Sequence, residues 1–246
     1  MDINAVVGAK IKSIKWKAKK ALLLVFFEFS NRVLKYPLSV PKDVYFGDVD
    51  TVIHAGAHLG EERIYYLKSN LRVYWIEANP DVFKILRRNV RLYSRQNAYL
   101  ATLSNISGVT VRFHIANLTG CSSLLEFDDL EVTPLFRHLN SITTITSTLH
   151  EMIEDNLIVL GRKNLLLVDT QGTELEVIQG AGDYIYKFDY VIAEAQDYTL
   201  YKNQGLSNEI EEYLSEKGFD LVQKETWASN VSKTKNCHEL VFKKIV

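Results

Sequence analysis

The sequence predicts an α/β fold with a doubly wound, mostly parallel sheet. Short apolar segments alternate with helical ones from residue 48 onward, and the first and the central apolar segments both end in glycine-containing turns. Parallel strands need right-handed crossover connections, usually helices, so this alternation is typical of βαβ units. We expect about seven sheet strands, of which the last two form an antiparallel pair.

The first strand and the turn after it point to a ligand site. Residues 49–55 are apolar and run into a turn that contains Gly56 and Gly60, and the next strand ends at Glu77. Glycine lets backbone approach a ligand, and the N–H groups that open the next helix suit an anion. A carboxylate in that position can accept hydrogen bonds from ribose hydroxyls. The pattern favours a nucleoside-containing cofactor, although close packing alone also produces such junctions.

The remaining elements follow from periodicity and capping residues. Asn79 is a helix N-cap and Gly218 closes a later helix. Residues 104–147 lack a helix of useful length and are predicted to form an insertion, or lid, over the carboxyl edge of the sheet. Helices are predicted at 61–69, 80–95, 175–185 and 208–217. Further strands are predicted at 72–77, 98–103, 109–116, 141–146, 164–168, 190–195, 219–226 and 238–244.

Composition narrows the class of protein. At 246 residues with 47% hydrophobic and 24% charged residues, the chain suits one globular domain, residues 47–246, with an extension at 1–46. A net charge of −1 argues against a general nucleic-acid binder. Cys121 and Cys237 have no metal-ligand spacing, so we expect no metal site, no disulfide framework and a reducing, cytoplasmic location.

Residues 3–27 predict a basic amphipathic helix. They contain six lysines and no acid, and their apolar residues recur every three or four positions. The densest apolar run, 21–27, is far shorter than the ~20 residues that cross a bilayer. Two alternatives stay open. The helix packs on the main domain or on a partner subunit of a homo-oligomer, or it lies peripherally on the anionic inner face of the membrane.

Several separate motifs, in order, resemble the FkbM family of S-adenosylmethionine-dependent methyltransferases. They are Ile53-His54-Ala55-Gly56-Ala57-His58-Leu59-Gly60, Trp75-Ile76-Glu77-Ala78-Asn79-Pro80, Ser122-Ser123-Leu124, Thr148-Leu149, Leu167-Val168-Asp169-Thr170-Gln171-Gly172-Thr173-Glu174 with Gly180-Ala181, and Ala193-Glu194 followed by Leu200-Tyr201. The resemblance implies a class I methyltransferase sheet of strand order 3-2-1-4-5-7-6 with one antiparallel strand. It also implies S-adenosyl-L-methionine as cofactor, and a glycan, glycolipid or related metabolite whose hydroxyl is methylated.

The resemblance also suggests which residues hold the cofactor. Backbone at Gly56, Ala57 and Gly60 and the Glu77 carboxylate are expected to contact it, and Ser104 and Asn105 to meet the adenine edge. Two further candidates depart from the family pattern, which has Asp in place of His54 and often Asn in place of His58. The alternative for His54 is a core histidine. For His58 it is a helix-capping role.

Three carboxylates are candidates for the base that an acceptor hydroxyl needs, and three polar residues for the acceptor side. Asp169 is first because it ends the central strand, followed by Glu174 and Glu194. A helix N-cap is the alternative for Asp169, and complementation of the helix dipole is that for Glu174. The acceptor-side candidates are Ser122, Ser123 and Gln171.

The sequence leaves two other functions as alternatives. A nicotinamide-dependent oxidoreductase is disfavoured, because Gly56-x-x-x-Gly60 lacks the G-x-G-x-x-G spacing that binds a pyrophosphate. The second is a methyltransferase-like module that binds the cofactor without catalysis, which His54 in place of Asp keeps open.

Overall fold

The secondary structure agrees closely with the alternation read from the sequence. The computed structural model describes residues 46–128, 136–228 and 236–245. The strands are β1 Thr51–Ala55, β2 Arg72–Glu77, β3 Gln96–Leu100, β4 Thr102–Leu103, β5 Thr110–Ala116, β6 His138–Ser147, β7 Asn164–Val168, β8 Tyr190–Gln196, β9 Phe219–Ala228 and β10 Asn236–Lys244. The helices are α1 Arg63–Lys68, α2 Pro80–Val90, α3 Leu149–Glu154, α4 Glu174–Gln179 and α5 Ser207–Glu216, with 3-10 turns at Thr119–Cys121 and Gly182–Lys187.

The larger sheet has the strand order β3-β2-β1-β7-β8-β10-β9. Neighbouring strands from β3 to β8 run parallel, whereas β10 is antiparallel to both β8 and β9. The predicted order 3-2-1-4-5-7-6 with one antiparallel strand is therefore confirmed. Its order reverses between β1 and β7, and the carboxyl ends of these two strands are where ligands bind in such sheets.

The sheet is covered on both faces. Alternate residues of β1 enter two different hydrophobic clusters, with Ile53 in one and Val52 in the other. Every residue of β1 and β7 is buried. This accounts for the nearly continuous apolar sequence of both strands, since a strand packed on both faces has no polar side.

The insertion forms a second, three-stranded sheet of order β4-β6-β5. Both strands predicted in it are present, and β6 is longer than expected because it spans His138–Ser147. The sequence reading missed α3, which follows directly. Its N-cap is Thr148, whose hydroxyl accepts the Glu151 N–H at 3.0 Å.

Two predicted helices end early. The helix predicted at 80–95 begins as expected, with the Asn79 side chain accepting the Asp81 N–H at 3.1 Å, but it ends at Val90. The helix predicted at 175–185 stops before Gly180, where a Cβ would lie 2.2 Å from the Ser104 carbonyl oxygen. The chain then continues as a 3-10 turn.

All described elements belong to one compact unit, Val44–Val246. The predicted basic helix at 3–27 lies outside the described residues, so its role and the domain boundary near residue 46 stay predictions. Among the described residues, no helix is long and apolar enough to span a membrane.

Two leucines on or just after α2 give a matched test of the core. Leu86 is fully buried, whereas Leu92 is 82% exposed. Leu86→Ala is expected to lower the free energy of unfolding by about 2 to 5 kcal/mol through lost burial and a residual cavity. Leu92→Ala should change it by less than about 0.5 kcal/mol. Urea unfolding measures both free energies, and equal losses would contradict the burial of Leu86 against the sheet.

Candidate active site

The loop after β1 folds tightly against the end of β7. Gly56 has φ 76°, and a Cβ there would lie 1.8 Å from the Asp169 carbonyl oxygen. Gly60 has φ 67°, and a Cβ there would lie 2.7 Å from Leu86 Cδ1. Both positions need glycine, because a side chain would meet the strained backbone and a close neighbour together.

His58 lies at the tip of this glycine loop with φ 46°. Its backbone N–H donates to Glu77 Oε2 at 2.9 Å. The ring is held at both nitrogens: Nδ1 is 2.8 Å from Glu61 Oε1, and Nε2 is 2.9 Å from Thr119 Oγ1 of the insertion. His58 does not cap α1, whose N-cap is Glu62, and its contact with the cofactor stays a prediction. Glu61 supports the loop further, since its Oε2 accepts the Leu59 N–H at 3.1 Å.

Glu77 ends β2 as a buried carboxylate that is 8% exposed. It accepts the N–H groups of His58 and Asn79, at 2.9 and 2.8 Å. Burial raises the pKa of Glu77 to about 7, although these N–H groups act in the opposite direction. A carboxylate buried beside the glycine loop is therefore present where the sequence predicted it.

His54 is a core histidine, which was the alternative to a cofactor contact. It is 4% exposed and stacks on Trp75, with ring centroids 4.9 Å apart. Its Nδ1 lies 3.2 Å from the Tyr66 hydroxyl. The structure does not support the cofactor contact predicted for His54, because Trp75 and Tyr66 enclose the ring in the hydrophobic layer.

The loop after β7 carries the first candidate base. Asp169 N–H donates to the Ala55 carbonyl at 3.0 Å, and Asp169 Oδ1 accepts from Gln171 Nε2 at 2.5 Å. Gln171 has φ 59°, and its Oε1 accepts from the Tyr201 hydroxyl at 3.3 Å. The helix-capping alternative for Asp169 is wrong, because the N-cap of α4 is Thr173. Asp169 is half-buried, and its Oδ1 is held within the same loop by Gln171.

Glu174 is better explained as a support of this loop than as a base. It is 2% exposed, and it accepts the N–H groups of Thr170 and Gly172 at 2.7 and 2.9 Å. Burial, followed by the nearby Asp169 charge, raises the pKa of Glu174 to about 8. Its position in the first turn of α4 matches the alternative read from the sequence.

Glu194 lies in β8, directly opposite Glu239 of β10, and is half-buried. The structure brings it into the same electrostatic surroundings as the other two carboxylates. All three act on the fully buried Tyr201, whose pKa is raised by burial first and then by nearby charges, including those of Glu174, Asp169 and Glu194.

The insertion does cover the carboxyl edge of the sheet. Ser123 is fully buried, and its hydroxyl donates to the Gln171 carbonyl at 2.7 Å. The Ser122 hydroxyl accepts the Ala116 N–H at 3.1 Å. Both serines hold backbone in place beside the site, so their acceptor contact remains a prediction.

Ser104 and Asn105 lie elsewhere. The Asn105 amide donates to Gln179 Oε1 at 3.2 Å, at the end of α4, and Ser104 N–H donates to the Ser147 carbonyl at 3.0 Å. Their predicted contact with the adenine edge stays a prediction. The N–H of Ala101, three residues earlier, donates to the Glu77 carbonyl at 3.2 Å.

Sequence reasoning missed the roles of Glu61, Thr119 and Tyr201. Tyr201 stands within a motif quoted above and Glu61 directly follows one, but nothing local assigns either residue a partner. Thr119 gave no signal at all, because its contact with His58 spans 61 positions of the chain. Within the described ranges, no group of three or more His, Cys, Asp or Glu side chains could hold a metal ion.

The sheet order, the glycine loop and the buried carboxylate after β2 together define a class I methyltransferase. The family model described as the methyltransferase FkbM domain matches residues 54–221. The chain therefore belongs to the FkbM methyltransferase family, and it is an S-adenosylmethionine-dependent methyltransferase. No curated protein sequence matches it.

Solved structures similar to this chain include three proteins of low identity. M. capricolum TrmK with S-adenosyl-homocysteine has 8% identity and a TM-score of 0.44, over 82% of this chain and 66% of that one. Magnesium protoporphyrin IX methyltransferase from Synechocystis PCC 6803 with bound SAM has 10% identity and a TM-score of 0.46, over 92% and 83%. TehB from Haemophilus influenzae has 10% identity and a TM-score of 0.46, over 89% of this chain and 66% of that one.

The raised pKa of Glu174 predicts that the free energy of unfolding falls as the pH rises. A carboxyl with a folded-state pKa of about 8 and an ordinary pKa of 4.5 in the unfolded chain contributes stability at low pH that is lost as the pH rises toward 8. As the pH rises from 5 to 9, the free energy of unfolding of the wild type should therefore fall by about 2 to 4 kcal/mol more than that of Glu174→Gln. Urea unfolding at both pH values measures this, and parallel profiles would contradict the assignment.

Proposed function

We propose that this protein methylates a hydroxyl of a glycan, a glycolipid or a related metabolite. The observation that carries the proposal is the placement of Asp169, whose backbone packs against Gly56 of the glycine loop and whose half-buried carboxylate is held by Gln171. Sulfonium methyl transfer needs a base only when the acceptor must lose a proton, as a hydroxyl does. An oriented carboxylate in this position therefore favours an oxygen acceptor.

The residues at the glycine loop fit S-adenosylmethionine. The backbone at Gly56 passes too close to the Asp169 carbonyl for any side chain, so the loop is held against the end of β7. We assign the ribose hydroxyls to the Glu77 carboxylate, and the rest of the contact to backbone at Gly56, Ala57 and Gly60. When bound, the cofactor supplies a methyl group on a sulfonium, which is a good leaving group.

Asp169 acts as the general base in this proposal. It accepts the proton of the acceptor hydroxyl while the acceptor oxygen forms its bond to the methyl carbon and the carbon–sulfur bond breaks. Gln171 holds Oδ1 of Asp169, and Tyr201 in turn holds Gln171. Holding the two reacting groups in line is the larger contribution, which reaches about 7 to 11 kcal/mol in well-oriented systems.

The acceptor class rests on the family resemblance, and the basic segment at 3–27 suits an acceptor tethered at the inner face of a membrane. The test is incubation of the full chain with isotope-labelled S-adenosylmethionine and a panel of methyl glycosides and glycolipids, followed by mass spectrometry. Methyl ethers on a glycan hydroxyl would support the proposal. Cofactor binding with no transfer to any member would favour the binding-only module.

Asp169→Asn is expected to lower the rate of methyl transfer by about 10² to 10⁴, the usual contribution of a general base. The affinity for S-adenosylhomocysteine should change by less than about threefold, because the amide keeps the shape of the side chain. Asp220→Asn, at an exposed position of β9, is the matched control with the wild-type rate. A rate loss shared by both variants, or by neither, would refute Asp169 as the base.

Glu77→Ala should weaken binding of S-adenosylhomocysteine by roughly tenfold or more, because a charged hydrogen-bond acceptor is lost. In the wild type, a pKa of about 7 predicts about tenfold tighter binding at pH 8 than at pH 6, since the ionised fraction rises in that proportion. The variant should lose this pH dependence. Calorimetric titration measures it, with Asp81→Ala, at a side chain 85% exposed, as control.

A further inference from the structure

The insertion is fastened to both loops that border the site, but in different ways. On the β7 side the contacts are made by two buried side chains. The Ser123 hydroxyl donates to the Gln171 carbonyl, and the Tyr201 hydroxyl lies 3.1 Å from the Cys121 carbonyl. Both side chains are fully buried, so these contacts do not exchange readily with water.

A stack of aromatic rings strengthens the same side. The ring of Tyr201 packs on Phe127 at 5.0 Å between centroids, Phe127 on His138 at 4.5 Å, and His138 on His114 at 4.7 Å. His114 and His138 belong to β5 and β6 of the insertion, whereas Tyr201 follows β8 of the main sheet. This edge of the insertion is therefore held to the main sheet by ring packing as well as by hydrogen bonds.

On the β1 side the contact is exposed. Thr119 Oγ1 lies 2.9 Å from His58 Nε2 at a solvent-accessible position, and the Thr119 residue itself is exposed. Water competes with such a hydrogen bond, so it opens more easily than a buried one. We call His58, Glu61 and Thr119 the clasp.

The clasp contacts Glu77, the candidate cofactor carboxylate, through the backbone N–H of His58. Glu77 Oε2 accepts the His58 N–H, and Glu61 fixes the ring from the other side. Because a carboxylate accepts only, Nδ1 carries a hydrogen toward Glu61, and Nε2 on the opposite side of the ring pairs with the Thr119 hydroxyl. A ligand that engages Glu77 thus orders the loop from which the imidazole projects.

We propose that His58 and Thr119 are positioning residues that couple cofactor binding to closure of residues 117–123 over the acceptor side. The segment opens at the clasp and pivots on the buried contacts of Ser123 and Tyr201. Asparagine, which the family often has at position 58, ends one bond short of Nε2 and does not reach Thr119 in the same way. The inference rests on the proposed function in assigning Glu77 to the cofactor.

Hydrogen exchange of the full chain, with and without saturating S-adenosylhomocysteine, tests the coupling. In the wild type the ligand is expected to slow exchange of the amides at 117–123 by about tenfold. Thr119→Val keeps the shape of the side chain and removes the hydroxyl, so this protection should fall below about twofold while protection of residues 56–60 persists. Thr119→Ser keeps the hydroxyl and should restore the wild-type pattern.

A second variant keeps the result interpretable. His58→Asn tolerates the left-handed backbone at this position and should reproduce the Thr119→Val loss. The double variant should lose no more than either single one, because both remove the same contact. Thermal unfolding confirms that each variant is folded. Full ligand-induced protection in Thr119→Val, or additive losses in the double variant, would overturn the proposal.

The readout separates this inference from the proposed function. It uses only the demethylated cofactor, so it does not depend on the acceptor or on the role of Asp169. A normal exchange pattern with no methylated glycan would refute the acceptor class and leave the clasp in place. Methylated glycans together with ligand-independent exchange at 117–123 would support the acceptor class and refute the clasp. Absence of ligand binding altogether would overturn the clasp and the Glu77 assignment together.

Discussion

The close approach of the β1 loop to the end of β7 is the constraint on which the site depends. Gly56 passes so near the Asp169 carbonyl that no side chain fits between them. This contact brings the glycine loop and the candidate base to the same point of the sheet, where the strand order reverses. The rest of the site, including the insertion, is arranged around that junction.

Two buried carboxylates hold the two loops in the same manner. Glu77 accepts backbone N–H groups of the first loop, and Glu174 accepts those of the second. Burial raises the pKa of both, so each ionised carboxylate costs stability that a neutral core residue would not. Loops with positive φ at His58 and Gln171 need such support, because their backbone bonds cannot be satisfied by a helix or a strand. The site therefore gives up stability for a fixed loop geometry.

Local pattern predicted most of the fold and only part of the site. The strands β1, β2, β7 and β8 were readable because each is a compact apolar run that ends at a turn or a polar residue. The short helix α3 was missed since six residues carry little periodicity. The contacts that define the site are nonlocal: Ser123 with Gln171, and Thr119 with His58. The same holds for the contact of His54 with Trp75, which places that histidine in the core. Residue type and spacing do not encode such pairs, which follow from how the insertion folds back on the sheet.

The two histidines that depart from the family pattern are both built into their surroundings. His54 fills the space between Trp75 and Tyr66 and bonds the buried tyrosine hydroxyl. His58 adopts a backbone conformation that histidine tolerates better than most residues, and both of its ring nitrogens have partners. The ring of His58 therefore joins the glycine loop to the insertion, with Glu61 on one side and Thr119 on the other. His54, in contrast, contributes to the packing beneath that loop.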